Sequence, residues 1–83
     1  MSAPGTGWRI IAEVAREHMM APADIIGRNR RKPYIAARFE AYRRVAEATR
    51  WSLPRIGRLF RRDHTTVLSA FRRMGFEYHS SGG

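Results

Sequence analysis

The chain has 83 residues, a hydrophobic fraction of 43% and a formal net charge of +9 from 16 basic and 7 acidic residues. This length suits one compact domain, and the apolar content argues against wholesale disorder. The pI of about 11.6 favours a phosphate-bearing partner, and the absence of cysteine excludes disulfide scaffolds, cysteine nucleophiles and zinc fingers.

The spacing of apolar residues predicts an all-α, compact multi-helix domain. Apolar residues recur every three or four positions over residues 7–19, and Pro22 suits the first turn of a short second helix. A polar run, 28–32, then ends at Pro33 and precedes the longest predicted helix, over about 34–50. We expect residues 8–75 to form the domain, with flexible ends at residues 1–7 and 76–83.

Two short helices joined by a very short turn close the domain. Ser52 is a suitable N-cap for a helix over 53–60, because its hydroxyl can accept from a backbone N–H at the helix start. Asp63 is a suitable N-cap for a final helix over 64–74. This outline is that of a helix-turn-helix.

The last helix has a polar face suited to the major groove of DNA. At about 100° per residue, its apolar residues collect on one side, and the opposite side carries Thr65, Thr66, Ser69, Arg72 and Arg73. Short side chains thus lie near the N-terminus, where base edges are close, and arginines lie where the DNA backbone passes. The Thr methyl can pack on thymine, and Asp63 can accept from cytosine N4.

Each of these residues also has a plainer interpretation. Asp63 can serve only as a helix cap, and Thr65 and Thr66 can be ordinary first-turn residues. His64 falls near the core side of the helix, so packing competes with a base or phosphate contact. Arg72 and Arg73 can be solvated, although an arginine-rich sequence favours phosphate contacts.

The run from Ser52 to Phe60, followed by Arg-Asp-His-Thr-Thr-Val-Leu at 62–68, closely resembles the C-terminal DNA-binding domain (domain IV) of the bacterial replication initiator DnaA. The resemblance covers about 8–74. It implies that Asp63, His64, Thr65 and Thr66 enter the major groove, and we add Ser69 from the helical pattern. It also implies minor-groove or flanking backbone contacts from Arg28, Arg30, Arg31, Lys32 and Arg38. We expect further backbone contacts from Arg55, Arg58, Arg61, Arg62, Arg72 and Arg73.

The chain departs from the family pattern at two places. The family often has Phe-Gly-Gly-Arg-Asp in the turn, whereas Phe60 to Asp63 is one residue shorter and has Arg61 in place of glycine. We therefore expect a tighter turn and an added phosphate contact from Arg61. The arginine that inserts into the minor groove in the family is replaced by Ala36, and Arg38 matches the second arginine of that motif.

The expected function is sequence-specific binding of double-stranded DNA. The three histidines have no metal-ligand spacing, no residue pair suggests catalysis, and a phosphate-binding Gly-x-x-x-x-Gly-Lys-[Ser/Thr] loop is absent. We therefore expect no enzyme activity, cofactor, metal or small-molecule substrate. The resemblance favours a stand-alone transcriptional regulator of bacterial or phage-derived genes, with RNA polymerase or another regulatory protein as a further partner.

Two alternatives remain at this point. The chain can compete with DnaA for its sites as a replication modulator, or it can belong to another class and either coat nucleic acid by charge alone or bind RNA. RNA readers usually show exposed stacking aromatics, and Trp51 and Tyr78 are the candidates here. No apolar run reaches the roughly 18 residues that span a bilayer, and no signal peptide pattern opens the chain. We expect a cytoplasmic, nucleoid-associated protein without a membrane partner.

Overall fold

The computed structural model describes residues 5–79, which contain five helices and no strand: α1 (Thr6–Glu17), α2 (Pro22–Ile26), α3 (Lys32–Thr49), α4 (Leu53–Phe60) and α5 (His64–Met74). The predicted all-α class is confirmed, and the two last helices have the predicted bounds. Helix α3 begins two residues earlier than expected, because Pro33 lies in its first turn, where proline is tolerated. In this part of the chain no helix is long and apolar enough to cross a membrane.

The long helix α3 joins two helix pairs, because it packs on α1 and α2 on one side and on α4 and α5 on the other. Its Tyr42 ring meets the Phe60 ring edge-on, at 4.6 Å between centroids, and the Phe71 ring at 6.5 Å. All three side chains are fully buried. This aromatic cluster therefore fixes the helix-turn-helix of α4 and α5 against the rest of the domain.

The turn between α4 and α5 is tight because residue 57 has no side chain. A Cβ atom at Gly57 would lie 2.6 Å from the carbonyl oxygen of Arg62 and 3.3 Å from the backbone nitrogen of His64. The turn passes through Arg61, which is left-handed at φ 56°. The turn is tight, as we expected, because its backbone packs directly on Gly57.

The chain is ordered further toward both ends than we expected. Phe76 and Tyr78 pack on Phe71, with centroids at 4.9 and 5.4 Å, and the Tyr78 hydroxyl donates to the Trp51 carbonyl at 2.6 Å. Gly7 is buried inside α1. Gly7, Phe76 and Tyr78 thus pack on the domain that we expected to span residues 8–75; the flexibility expected of the ends stays a prediction, and residues 1–4 and 80–83 lie outside the described residues.

Candidate nucleic-acid interface

The first turn of α5 is fixed by hydrogen bonds between near neighbours. Asp63 Oδ1 accepts from the backbone N–H of Thr65 at 3.0 Å and from the Thr65 hydroxyl at 2.9 Å. These two bonds, led by the backbone one, lower the pKa of the Asp63 carboxyl. The carboxylate is therefore charged at neutral pH, and its interpretation as a helix cap is confirmed. The cap also presets the orientation of the Thr65 side chain.

The predicted polar face of α5 points away from the core. Val67, Ala70 and Phe71 are buried, whereas all the predicted DNA contacts of this helix and its N-cap are exposed, namely Asp63, His64, Thr65, Thr66, Ser69, Arg72 and Arg73. The side chain of His64 is 53% exposed. The alternative in which His64 packs inside the domain is wrong, and its ring is accessible to a partner.

Residues 27–31, here called the basic loop, are held by two arginines from other parts of the chain. Arg38 of α3 donates from Nε to the Ile25 carbonyl at 2.7 Å, and from Nη2 to the Gly27 carbonyl at 2.8 Å. Arg62 of the α4–α5 turn donates from Nη1 to the Ile26 carbonyl at 2.8 Å and from Nη2 to the Gly27 carbonyl. We call these bonds the carbonyl clamp.

The carbonyl clamp changes the roles that the sequence suggested for two residues. Arg38 is only 6% exposed, and burial followed by the nearby charge of Arg62 lowers its pKa. Guanidinium groups stay protonated in proteins, so this buried cation is stabilised by the carbonyls that it contacts. The Arg38 guanidinium supports the loop through these carbonyls, and its expected contact with DNA stays a prediction. Arg62 is half-buried and makes the same kind of contact.

A cleft of about 740 Å³ lies between α5 and the basic loop, and we call it the reading cleft. It brings together residues that are more than 30 positions apart in the sequence. Its polar and cationic lining combines both predicted groups: Asp63, Thr65, Thr66 and Ser69 with Arg28, Arg30, Arg38, Arg61, Arg62 and Arg73. Ile35 and Phe39, which the sequence analysis did not single out, add apolar surface to it.

Other predicted contacts lie outside this cleft. Arg55 stacks on the Trp51 ring at 3.9 Å from its centroid, a cation–π contact. Five of the predicted cationic contacts are exposed but do not line the reading cleft, namely Arg31, Lys32, Arg55, Arg58 and Arg72. Trp51 is half-buried beneath Arg55, and Tyr78 stacks on the core residue Phe71. The two aromatics that we considered for RNA stacking are thus engaged within the domain.

Three of the seven acidic residues, on α1 and α3, form ion pairs with arginines. Arg44 of α3 forms ion pairs with Glu40 and, at 2.6 Å, with Glu17 of α1, while Arg43 pairs with Glu47 at 3.0 Å. The Arg44 hydrogen bond lowers the pKa of Glu17. Asp63 is the one acidic residue that lines the reading cleft in the described part of the chain. The cleft is therefore strongly cationic.

Residues 8–74 match the family model described as the bacterial DnaA protein helix-turn-helix. The chain belongs to this family. Chromosomal replication initiator proteins DnaA are similar to it: that of Thermus thermophilus is 44% identical over 66 residues, and that of Cutibacterium acnes is 40% identical over 72. These alignments cover 78% and 86% of the chain but only 15% and 14% of the relatives.

The family assignment confirms the resemblance to DnaA domain IV and identifies the ligand of the domain as DNA. The family is a DNA-binding one rather than a catalytic one, and its helix-turn-helix comprises α4 and α5 in this chain. The chain is accordingly a helix-turn-helix DNA-binding domain whose partner is double-stranded DNA. The reading cleft lies at the N-terminus of its second helix, which is the end that enters the major groove in proteins of this type.

Proposed function

We propose that this chain recognises a specific sequence of duplex DNA by placing the N-terminus of α5 in the major groove and the basic loop on the adjacent backbone. One observation carries the proposal. Short polar side chains of α5 and cations of the loop face the same reading cleft. A duplex that enters this cleft meets hydrogen-bonding groups at its base edges and arginines at its phosphates, which is the division that specific recognition requires.

The chemistry at α5 suits reading of base edges. Asp63 uses Oδ1 for both bonds to Thr65, so its Oδ2 can accept from a cytosine amine. The Thr65 hydroxyl donates to Asp63, which leaves its oxygen as an acceptor and its methyl group for a thymine methyl. Thr66, Ser69 and His64 extend this exposed surface along the helix.

The basic loop suits binding of the backbone. Arg28 and Arg30 are exposed and line the reading cleft, while the carbonyl clamp fixes the main chain that bears them. A loop that is already ordered loses less conformational entropy on binding. Ala36, at the position of the family's inserting arginine, is too short to reach into a groove. We therefore assign the loop to phosphates rather than to bases.

The biological role that we propose is control of transcription from bacterial or phage-derived promoters. A protein bound to a specific promoter sequence alters the access of RNA polymerase, because both compete for or share the same DNA. A single small domain usually buries only about 600–1,000 Å² on DNA. We therefore expect help from RNA polymerase, another regulatory protein or a second copy.

A second candidate role, modulation of replication, is favoured by the identity of the relatives, which are chromosomal replication initiators. In that role the chain occupies DnaA-type sites and competes with the initiator for them. Competition binding between the two proteins on a DnaA-type duplex tests it. Displacement of the initiator supports this role, and failure to bind that duplex better than a scrambled one contradicts it.

The experiment that tests the proposed function is selection of bound sites from a random duplex pool, followed by affinity measurements at several salt concentrations. The selected duplex should bind more tightly than a scrambled duplex or an RNA of equal length. If six to eight cations neutralise phosphates, the slope of log affinity against log salt should be about −5 to −7. A slope shallower than about −2, or equal affinity for every duplex, contradicts the proposal.

A further inference from the structure

A second cleft, of about 500 Å³, lies on the other side of the carbonyl clamp. Trp8, in the first turn of α1, is one of its walls and is 46% exposed, unlike the bulk of the large apolar side chains. Pro22, Ala23 and Ile26 of α2 form the facing apolar wall. We call this the Trp8 cleft. The proposed function assigns it no role.

The Trp8 cleft continues the reading cleft. Arg28, Arg61 and Arg62 line both, and the Arg62 hydrogen bonds to the Ile26 and Gly27 carbonyls form the boundary between them. Among the described residues no acidic side chain lines the Trp8 cleft. Its surface is thus apolar on two sides and cationic on the third, and the cationic side is shared with the DNA-facing surface.

We propose that the Trp8 cleft binds the sugar–phosphate backbone of the same duplex, beyond the base pairs that α5 reads. The apolar walls can pack on deoxyribose, the indole N–H of Trp8 is a donor for a phosphate oxygen, and Arg28 and Arg61 supply the counter-charge. This inference rests on the proposed function, and it adds a contact that carries no base information.

The size of the domain is compatible with this longer footprint. The described fold extends 37 Å along its longest axis, which equals about 11 base pairs at the 3.4 Å rise of duplex DNA. A protein segment such as an acidic peptide would need to displace the duplex from Arg28 and Arg61, because these residues serve both clefts. Continuity of charge therefore favours flanking DNA as the occupant.

The test combines trimming of the duplex with replacement of Trp8. A selected site is embedded in a longer duplex and shortened one base pair at a time from each end, and binding of wild-type and Trp8→Ala proteins is measured. At one step on one end, the wild-type affinity should fall about three- to tenfold, the size of one or two net hydrogen bonds. Trp8→Ala should bind the full-length duplex more weakly than wild type by the same factor. Its affinity should not fall further when the base pair that matters to wild type is removed.

The matched control is Met19→Ala, because Met19 is also a large apolar side chain, is 94% exposed and lines neither cleft. It should behave as wild type on every duplex. A second readout leaves Trp8 in place: in a Trp51→Phe background, Trp8 fluorescence should change on binding the full-length duplex and change much less with the trimmed one. This readout applies even if Trp8→Ala fails to fold.

Three results overturn the inference while leaving the proposed function intact. In the first, Trp8→Ala binds the full-length duplex as tightly as wild type; in the second, its loss is the same on full-length and trimmed duplexes. Equal Trp8 fluorescence changes with both duplexes would also overturn it. Failure of the wild-type protein to distinguish selected from scrambled duplexes counts instead against the proposed function.

Discussion

The two DNA-facing elements of this domain, the first turn of α5 and the basic loop, are held by different kinds of hydrogen bond. The α5 turn is fixed by bonds between residues two positions apart, from Thr65 to Asp63. The basic loop has one such local bond, from the Arg31 N–H to Asn29 Oδ1 at 2.9 Å, but is held on the domain from a distance, since Arg62 reaches carbonyls 35 and 36 positions away. The helix turn thus carries its own order, whereas the order of the loop depends on the rest of the fold.

This difference indicates which substitutions should affect one element without the other. A change in the carbonyl clamp should disturb the loop and leave the reading residues of α5 in place. A shift of the backbone in the α4–α5 turn should disturb both, because it moves Arg62 and the start of the helix together.

Gly57→Ala should destabilise both elements together. The added Cβ would lie 2.6 Å from the Arg62 carbonyl oxygen, so the backbone of the turn has to move. Overpacking of this kind lowers the free energy of unfolding by about 1–3 kcal/mol, or roughly 4–8 °C in Tm for each kcal/mol. Thermal unfolding measures it. Gly5→Ala is the control, because nothing lies within 4 Å of a Cβ there; equal Tm values for the two variants contradict the account.

Arg62→Lys should loosen the basic loop while preserving the charge. Lysine lacks the planar fork that reaches the carbonyls of Ile26, Gly27 and Phe60 together. We expect a stability loss of about 1–2 kcal/mol and faster hydrogen exchange at residues 27–31, with the preference for the selected duplex retained. Arg58→Lys, at an exposed position in α4, is the matched control. Loop exchange that stays at the wild-type rate would show that Arg62 does not hold the loop.

Arg61→Gly should weaken DNA binding and raise thermal stability. Arg61 has φ 56°, a left-handed conformation that costs a non-glycine residue about 1–2 kcal/mol, partly offset by the greater freedom of glycine when unfolded. We expect a Tm higher by a few degrees, weaker DNA binding and a salt slope smaller by about 0.9. Arg61→Ala removes the same charge without relieving the backbone, so a Tm gain of equal size in that variant would contradict this explanation.

The hydrogen bonds of the Asp63 cap should make thermal stability depend on pH. This is the smallest effect that we predict. Because the folded-state pKa of Asp63 is lowered by its bonds to Thr65, its contribution is present at neutral pH and is lost as the pH falls through that pKa. The Tm difference between wild type and Asp63→Asn should therefore shrink on acidification. Glu17, whose pKa Arg44 lowers, contributes equally in both proteins, so its effect cancels in the difference between their Tm values. A difference that grows toward low pH would contradict the assignment.

The sequence predicted the α5 turn well and the loop only in part, for the same physical reason. Helix periodicity and the Asp63 cap are local patterns, so the bounds of α4 and α5 and the exposed face of α5 followed from a few adjacent residues. The resemblance to the DnaA signature at 62–68 pointed to the same residues as DNA contacts. No local pattern distinguishes an arginine that binds phosphate from one that binds a carbonyl, and Arg38 and Arg62 were therefore expected to face DNA.

Packing at the ends of the chain also escaped prediction. Phe76 and Tyr78 follow a helix-ending glycine, Gly75, and have no helical or strand period of their own. They are ordered because Phe71 and the Trp51 carbonyl lie where the returning chain passes. Such contacts depend on the tertiary arrangement of α3 and α5, which composition and spacing do not give.

The most direct test of the central claim measures affinity for the selected and the scrambled duplex with Thr65→Ala and with Arg30→Ala. Thr65→Ala should cost about 1–3 kcal/mol on the selected duplex and almost nothing on the scrambled one, with relaxed preference at one or two base pairs. Arg30→Ala should weaken binding to both duplexes and reduce the salt slope by up to about one. Arg31→Ala is the control and should weaken binding less, because Arg31 does not line the reading cleft. If Arg30→Ala instead keeps its affinity for scrambled DNA and loses discrimination, the loop reads bases and the division of roles is wrong.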